Sequence, residues 1–165
     1  MPESWKTKLM RWRFNWYPAF RRTGARVEFI AEDLLELRVR IPLNRATRNL
    51  HGTIYGGTMY AAVDPLHAVL LARHLGPQFH VWMKAARIEF RRPGRSDLFA
   101  TARLDPAEIE DIRASLERAP KLDRDFTVAL TDATGAHVAA RVTATVHVRR
   151  RAAHEPVMEG MVFSA

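Results

Sequence analysis

TMYAAVDPLHAVLLARHL, residues 58–75, is apolar on nearly every face. In a chain that folds in water this marks a helix enclosed by protein rather than one lying on a surface. A sheet has to wrap it. Immediately upstream stands Asn49-Leu50-His51-Gly52-Thr53-Ile54-Tyr55-Gly56-Gly57, which sets a glycine pair at the mouth of that helix. Glycine lets backbone approach a ligand closely, and the unpaired amides of a helix N-terminus attract an electron-rich oxygen, the chemistry of an oxyanion hole. Asp64 follows about two turns inside and is the only acid between Glu36 and Glu89. Burying a lone carboxylate is costly unless it is paired, hydrogen-bonded or protonated. Pro65 removes the next amide and crowds the carbonyl of Ala61, so an acid sits beside an expected helix break.

The segments around this helix read as strands. Residues 25–30 and 34–41 form an expected hairpin, because Leu35, Leu37, Val39 and Ile41 alternate with Glu36, Arg38 and Arg40. Residues 79–92 form a long strand ended by Pro93-Gly94, and 98–104 pair back from it. Asp105-Pro106 opens a short helix to about Arg118. Residues 124–132 and 137–148 complete the sheet around Gly135. In the last strand Val138, Ala140, Val142, Ala144, Val146 and Val148 occupy one face, while Arg141, Thr143, Thr145 and His147 take the other. The expected fold class is α+β, an antiparallel sheet curled over one long helix, with an extra helix at the N-terminus. The expected division is 1–22 for a basic aromatic helix, 23–150 for the main domain and 151–165 for a C-terminal tail.

The string N-x-x-G-T-I-Y-G-G-x6-D, from Asn49 to Asp64, resembles the active-site signature of hotdog-fold acyl-CoA thioesterases of the phenylacetyl-CoA thioesterase type, N-x-x-G-x-x-H-G-G-x6-D. Most of the chain is similar to a branch of that superfamily often labelled tetrameric acyl-CoA thioesterase. The similarity runs from Tyr17 to about Arg149 through YPAF, LLELRVRIPL, HVWMKAARIEFRRPG, AEIEDIRA and FTVALTDATGAHVAARVTATVHVR. The resemblance implies a hydrolase acting on an acyl-CoA thioester, with Asp64 as general base or nucleophile and the Gly57 amide polarising the carbonyl. Asn49 would shape the turn or orient water. Tyr55 stands where the related enzymes carry histidine; a phenol donates a hydrogen bond but is no base at neutral pH. The resemblance also implies a site shared across a dimer, the carboxylate of one subunit facing the glycine turn of the other. A homodimer or homotetramer is expected, with no cofactor other than the coenzyme A carried by the substrate.

Substrate contacts are expected from Gly56 and Thr58 at the helix mouth, and from Met59, Tyr60, Val63, Trp82 and Met83 as an apolar slot. Lys84 falls in phase with Trp82, Ala86, Ile88 and Phe90, so its amine is expected on their face, either snorkelling or reaching an acid or ligand. Arg91, Arg92 and Arg95 surround the Pro93-Gly94 turn; such a cluster can clamp phosphates or form a solvated loop. His67, one turn after Asp64, is near enough to pair with it, or is a packed structural side chain. His51 and His67 make no metal site by spacing. A hydratase is disfavoured because the paired Asp and His of hotdog hydratases, with four residues between them, is absent. A non-catalytic acyl-CoA or lipid binder is the alternative that Tyr55 favours.

Composition narrows the remaining classes. The 165 residues suit one core, and 47% hydrophobic content excludes wholesale disorder. The absence of cysteine excludes thiol catalysis, disulfides and cysteine-type zinc sites. No apolar run approaches the roughly 20 residues needed to span a bilayer, so a cytoplasmic protein is the default expectation. The net charge of +8 is uneven: residues 1–22 carry +5. Within them Trp5, Leu9, Trp12 and Trp16 alternate with cations at helical spacing. Three uses fit this segment: aromatics packed on the domain or on a partner subunit, peripheral membrane contact through residues 5–22, or a targeting peptide. No motif supports nucleic-acid binding.

Overall fold

The computed structural model describes residues 1–152; the greater part of the expected C-terminal tail, from residue 153 on, lies outside the described residues. The chain begins with two helices, α1 (Trp5–Trp16) and α2 (Pro18–Arg22), then β1 (Arg26–Ile30) and β2 (Glu36–Ile41). A loop leads to α3 (Gly56–Val63) and α4 (Leu66–Leu75), followed by β3 (Phe79–Phe90), β4 (Leu98–Arg103), α5 (Pro106–Arg118), β5 (Lys121–Thr131) and β6 (Val138–Arg150). The six strands form one sheet in the order β1-β2-β4-β5-β6-β3, every neighbour antiparallel. The expectation that 98–104 pair back on 79–92 is corrected, since β4 lies between β2 and β5 and β3 pairs with β6 at the far side of the sheet. The sheet curls over α3 and α4, which is the hotdog arrangement.

The enclosed helix is interrupted where proline dictates. Asp64 closes α3 as its C-cap and Pro65 opens α4 as its N-cap, so the lost amide falls between two helices rather than within one. On either side the apolar residues are fully withdrawn from solvent: Ala62, Leu66, Leu70 and Leu71 have no exposed surface. Each buried leucine contributes roughly 2–3 kcal/mol of transfer free energy. The break is held in place by this packing on both sides, with α3 against β2 and α4 against β3. Gly76 at a φ of 87° ends α4, and the guanidinium of Arg113 on α5 donates to the His74 carbonyl at 2.7 Å, satisfying one carbonyl of the last turn.

The two edges of the sheet are treated differently. Against β1 lies α1, whose Met10 and Phe14 are buried and whose polar side chains act as a substitute strand. The Asn15 amide donates to the Val27 carbonyl at 2.9 Å, while its oxygen accepts from the Val27 amide at 2.8 Å. The Glu3 carboxylate accepts from the Ile30 amide at 3.0 Å and pairs with Arg11 at 2.9 Å. This edge is blunted within the chain. The outer edge of β3 has no partner strand among the described residues, and Ala85, Ala86 and Arg87 are exposed there.

One expectation about β3 is corrected by a bulge. The ladder to β6 pairs Trp82 with His147 and Met83 with Val146, then resumes with Ala85 opposite Thr145, leaving Lys84 as the extra residue. A single inserted residue reverses the phase of everything beyond it. Ala86, Ile88 and Phe90 therefore share the helix-facing side with Met83, whereas Trp82 and Lys84 lie on the outer side. There the Trp82 ring packs on His147 with centroids 4.5 Å apart, and Lys84 Nζ pairs with Asp123 at 2.7 Å. The tryptophans of α1 do not pack on their own domain: Trp5, Trp12 and Trp16 are exposed in the protomer, and Thr7, Met10 and Phe14 make its buried face instead.

Asn15→Leu should lower stability by about 1–3 kcal/mol, because it removes both partners of the Val27 peptide while filling a similar volume. A urea unfolding curve with an unchanged midpoint would show that the edge of β1 does not depend on this side chain.

Candidate active site

The loop before α3 is built around two polar side chains. Thr47 is fully buried; its hydroxyl donates to the Pro42 carbonyl and accepts from the Asn44 amide at 3.1 Å. Asn49 commits its carboxamide to its own turn, accepting from the amides of His51 at 2.9 Å and Thr53 at 3.2 Å and donating to the Thr53 hydroxyl at 3.0 Å. Asn49 thus shapes the turn. The loop ends by hydrogen bonding to its neighbours: the Ile54 amide donates to the Gly94 carbonyl at 2.9 Å and the Tyr55 amide to the Thr47 carbonyl at 2.8 Å. The second glycine-containing turn, 91–95, is thereby stitched beside the entrance to α3.

Tyr55 is the N-cap of α3, in an extended conformation, and no side chain caps the helix. The first α-helical bond is made by the Met59 amide to the Tyr55 carbonyl at 3.1 Å, so the amides of Gly56, Gly57 and Thr58 are the orphan donors of the first turn. The reason for the two glycines is visible in their neighbours. A methyl group on Gly56 would meet the Phe90 ring at 2.8 Å, and one on Gly57 would meet the Tyr55 ring at 2.4 Å. Neither glycine has a positive φ, so what the site requires of them is space and not conformational freedom. Gly57 is exposed, whereas Thr58 and Met59, expected to touch substrate, are buried in the core of the protomer.

At the far end of α3, Asp64 stands exposed at the helix break. Among the described residues no hydrogen-bond donor or cation reaches its carboxylate. The protein around it nonetheless displaces enough water to raise its carboxyl above the ordinary carboxylate range. Tyr60, one turn earlier and half-buried, has its phenol raised by burial and by the charge of Asp64. The seven residues from Gly57 to Asp64 correspond to roughly 10 Å along a helix axis. Within one protomer the glycine amide and the carboxylate therefore face different ends of α3.

His67 does not join Asp64. It is buried, stacks on Phe126 with ring centroids 4.6 Å apart, and burial depresses its pKa to about 4, opposed by a hydrogen bond to the Arg103 backbone. It is a neutral core side chain. Around the mouth, Arg91 pairs with Glu89, while Arg92 and Arg95 are exposed with no carboxylate partner among the described residues. The structure thus gathers Asn49, Tyr55, Gly56 and Gly57 with the arginine turn at one end of α3, and Asp64 with Tyr60 at the other. Lys84 and Trp82 belong to the opposite face of the sheet. Phe90, which roofs Gly56, escaped the sequence reading; its apolar alternation along β3 was the available signal, hidden by the bulge at Lys84.

An antiparallel sheet around a broken helix, with an uncapped glycine turn and an acid at the break, defines the protein as one of the hotdog type. The chain belongs to the DUF4442 family, a domain of unknown function, whose pattern matches residues 6–148. Its structure is similar to that of a protein of unknown function from Pseudomonas aeruginosa described as a probable thioesterase, with 25% identity, a TM-score of 0.77 and coverage of 92% of this chain and 99% of that one. A protein of unknown function from Chlorobaculum tepidum shares the fold at 17% identity and a TM-score of 0.71, covering 88% of this chain and 94% of that one. So does a thioesterase from Haemophilus influenzae, at 15% identity and a TM-score of 0.62, covering 83% of this chain and 87% of that one. No curated protein matches the chain.

His67 carries a pH dependence whose sign is fixed by its burial. Its pKa falls from 6.5 to about 4 on folding, so the unfolded chain binds more protons between these values. The stability tied to its neutral form, on the order of 3 kcal/mol, is complete above pH 6.5 and is lost as the pH falls toward 4. His67→Phe should flatten the fall in melting temperature between pH 7 and pH 4.5; an equally steep fall in the variant would remove His67 as its cause.

Proposed function

We propose that the protein is an acyl-CoA thioesterase whose site is completed by a second copy of the chain. The observation that carries this reading is the pair of features at the two ends of α3: three amides uncapped among the described residues at one end, and at the other a carboxylate with no partner among them, held above its usual pKa. The similarity to proteins described as thioesterases supports it. A reacting carbonyl must lie within about 3–3.5 Å of the attacking oxygen, and the donor must lie equally near the oxyanion, a geometry that features roughly 10 Å apart on one helix do not meet. Two protomers, related so that the acid of one faces the glycine turn of its partner, meet it. The open edge of β3 offers the pairing surface, and a two-fold pairing of such edges is self-complementary.

In this reading the Asp64 carboxylate takes a proton from water, which attacks the thioester carbon. The oxygen that becomes negative is held by the Gly57 amide. Collapse of the tetrahedral intermediate breaks the carbon–sulfur bond, and the thiolate of coenzyme A leaves and recovers the proton. Arg92, with Arg91 beside it, supplies cations for the phosphates of coenzyme A. Met83 and Tyr60 offer apolar surface to the acyl group. Asp64 acting directly as nucleophile uses the same geometry with an anhydride intermediate.

The second reading, a non-catalytic acyl-CoA binder, is favoured by one observation: the Tyr55 ring lies against Gly57, where a methyl group would approach it to 2.4 Å. No imidazole is available at that position to assist. The two readings separate in a thiol-release assay over short, long and aromatic acyl-CoAs. Asp64→Asn should keep the fold and the oligomeric state and lower kcat about 10²–10⁴-fold. Equal turnover in the variant would eliminate Asp64 as base; a rise in melting temperature with acyl-CoA and no thiol release by the wild type would establish the binder. For the catalytic reading kcat/KM should rise with pH through the raised pKa of Asp64, since only the carboxylate accepts a proton. The acid limb should therefore lie above the ordinary carboxylate range; a profile already flat there would contradict the assignment.

A further inference from the structure

The exposed face of α1 has an arrangement that packing on the domain does not use. At about 100° per residue, Trp5, Leu9, Trp12 and Trp16 fall within a sector of roughly 60°. Thr7, Met10 and Phe14 occupy the opposite, buried side. The four stripe residues retain 70%, 45%, 58% and 54% of their surface, and Tyr17 at the end of the helix is exposed as well. Three tryptophans and a leucine in one outward stripe form an apolar patch of the kind that marks an interaction surface.

The cations are ordered around the stripe. Lys6 and Arg13 project along one flank and Lys8 along the other, each about 70–90° from the centre of the stripe. Arg21 lies over the Trp16 ring at 4.5 Å and Lys6 over the Trp5 ring at 5.9 Å. Residues 5–22 contain no acid, and Glu3, the acid nearest in sequence, is turned inward to Arg11 and the Ile30 amide. The helix is also preformed: a Ser4 capping box starts it, and Asn15, Phe14 and Phe20 fix it to the edge of β1, the two phenylalanine rings meeting edge to face at 4.7 Å.

We propose that this face of α1 docks the protein on an anionic lipid surface, the tryptophans entering the interface and the flanking lysines and arginines meeting the headgroups. Tryptophan at the centre with cations at the margins matches the order of a bilayer surface, where apolar depth lies beneath a charged plane. A second copy of the same face would oppose Lys6, Lys8, Arg21 and Arg22 with their own equivalents, so charge argues against self-pairing. No helix among the described residues is long and apolar enough to cross a membrane, which makes this a surface contact. The proposal stands independently of the thioesterase reading, because it concerns the sheet edge opposite β3 and no residue of the site.

Co-sedimentation of the full chain with vesicles tests it. The wild type should pellet with an equimolar mixture of phosphatidylcholine and phosphatidylglycerol, much less with phosphatidylcholine alone, and should be released by high salt. Replacing Trp5, Trp12 and Trp16 together by alanine should weaken partitioning at least about tenfold while circular dichroism and melting temperature stay unchanged, since the removed surface is exposed. A measurement that needs no variant is the quenching of wild-type tryptophan emission by brominated lipid in the same mixed vesicles. Failure to pellet with the anionic vesicles, absence of quenching, or partitioning unaltered by the triple substitution would overturn the proposal. So would a triple variant whose lipid-free oligomeric state drops below that of the wild type, an outcome that assigns the face to a second copy.

Discussion

The structure depends on one constraint: an apolar helix that cannot meet water has to be enclosed by a single sheet. Leu66, Leu70 and Leu71 are sealed within the curl, and each strand presents an apolar face to them. Once the helix is enclosed, polar chemistry can emerge only where enclosure fails, at its N-terminal mouth and at the break after Val63. The mouth carries uncapped amides, and the break carries the only acid between β2 and β3. The missing amide of Pro65 falls between the two helices, and Asp64, at the break, lies on the same half-exposed side of the helix pair as Tyr60, Ala61 and Ala68, so its carboxylate meets solvent and not the core.

The same constraint explains the unequal edges. A sheet that curls around a helix without closing leaves two rows of unpaired backbone groups. At β1 the chain answers with its own first residues, where Asn15 reproduces both hydrogen bonds of a neighbouring strand and Glu3 takes a third. Because the inner side of α1 is occupied by this task, its tryptophans are turned outward. Among the described residues the edge of β3 is left open over twelve residues, and its bulge at Lys84 divides it into a half that carries Trp82 outward and a half that carries Ile88 and Phe90 toward the helix. The bulge fixes which side chains reach the mouth of α3.

Much of this was legible in the amino-acid order. The alternation in β2 and β6 is strict because one face of each is fully buried, and the apolar run of 58–75 with its proline predicts both the enclosed helix and its break. The glycine pair and Asp64 were recognisable as a candidate site, and the turn-shaping role given to Asn49 matches the hydrogen bonds it makes. What was hidden has a common physical origin. A bulge has no composition of its own, so the phase of β3 beyond Lys84 read one residue out, misplacing Trp82 relative to Phe90. The side of α1 that packs was equally opaque, since its buried residues include only Met10 and Phe14 as large apolar groups while the larger aromatics face out. Within the protomer, size and hydrophobicity alone point to the face that stays exposed, while the side that packs also carries the Asn15 pairing to Val27.

The glycines show why a matching motif still needs its surroundings. Gly56 and Gly57 could have been required for a left-handed backbone, for a ligand, or for packing, and each reason predicts a different tolerance. Their ordinary helical backbone removes the first. The Phe90 ring over Gly56 and the Tyr55 ring over Gly57 supply the third, and they limit the second, because a ligand oxygen reaching the Gly57 amide has to approach past an aromatic edge. Tyr55 is thus a wall beside the first turn of α3. A phenol in that wall can donate a hydrogen bond but takes no proton at neutral pH, so in the proposed thioesterase reading the raised carboxyl of Asp64 is the group whose ionisation governs the site.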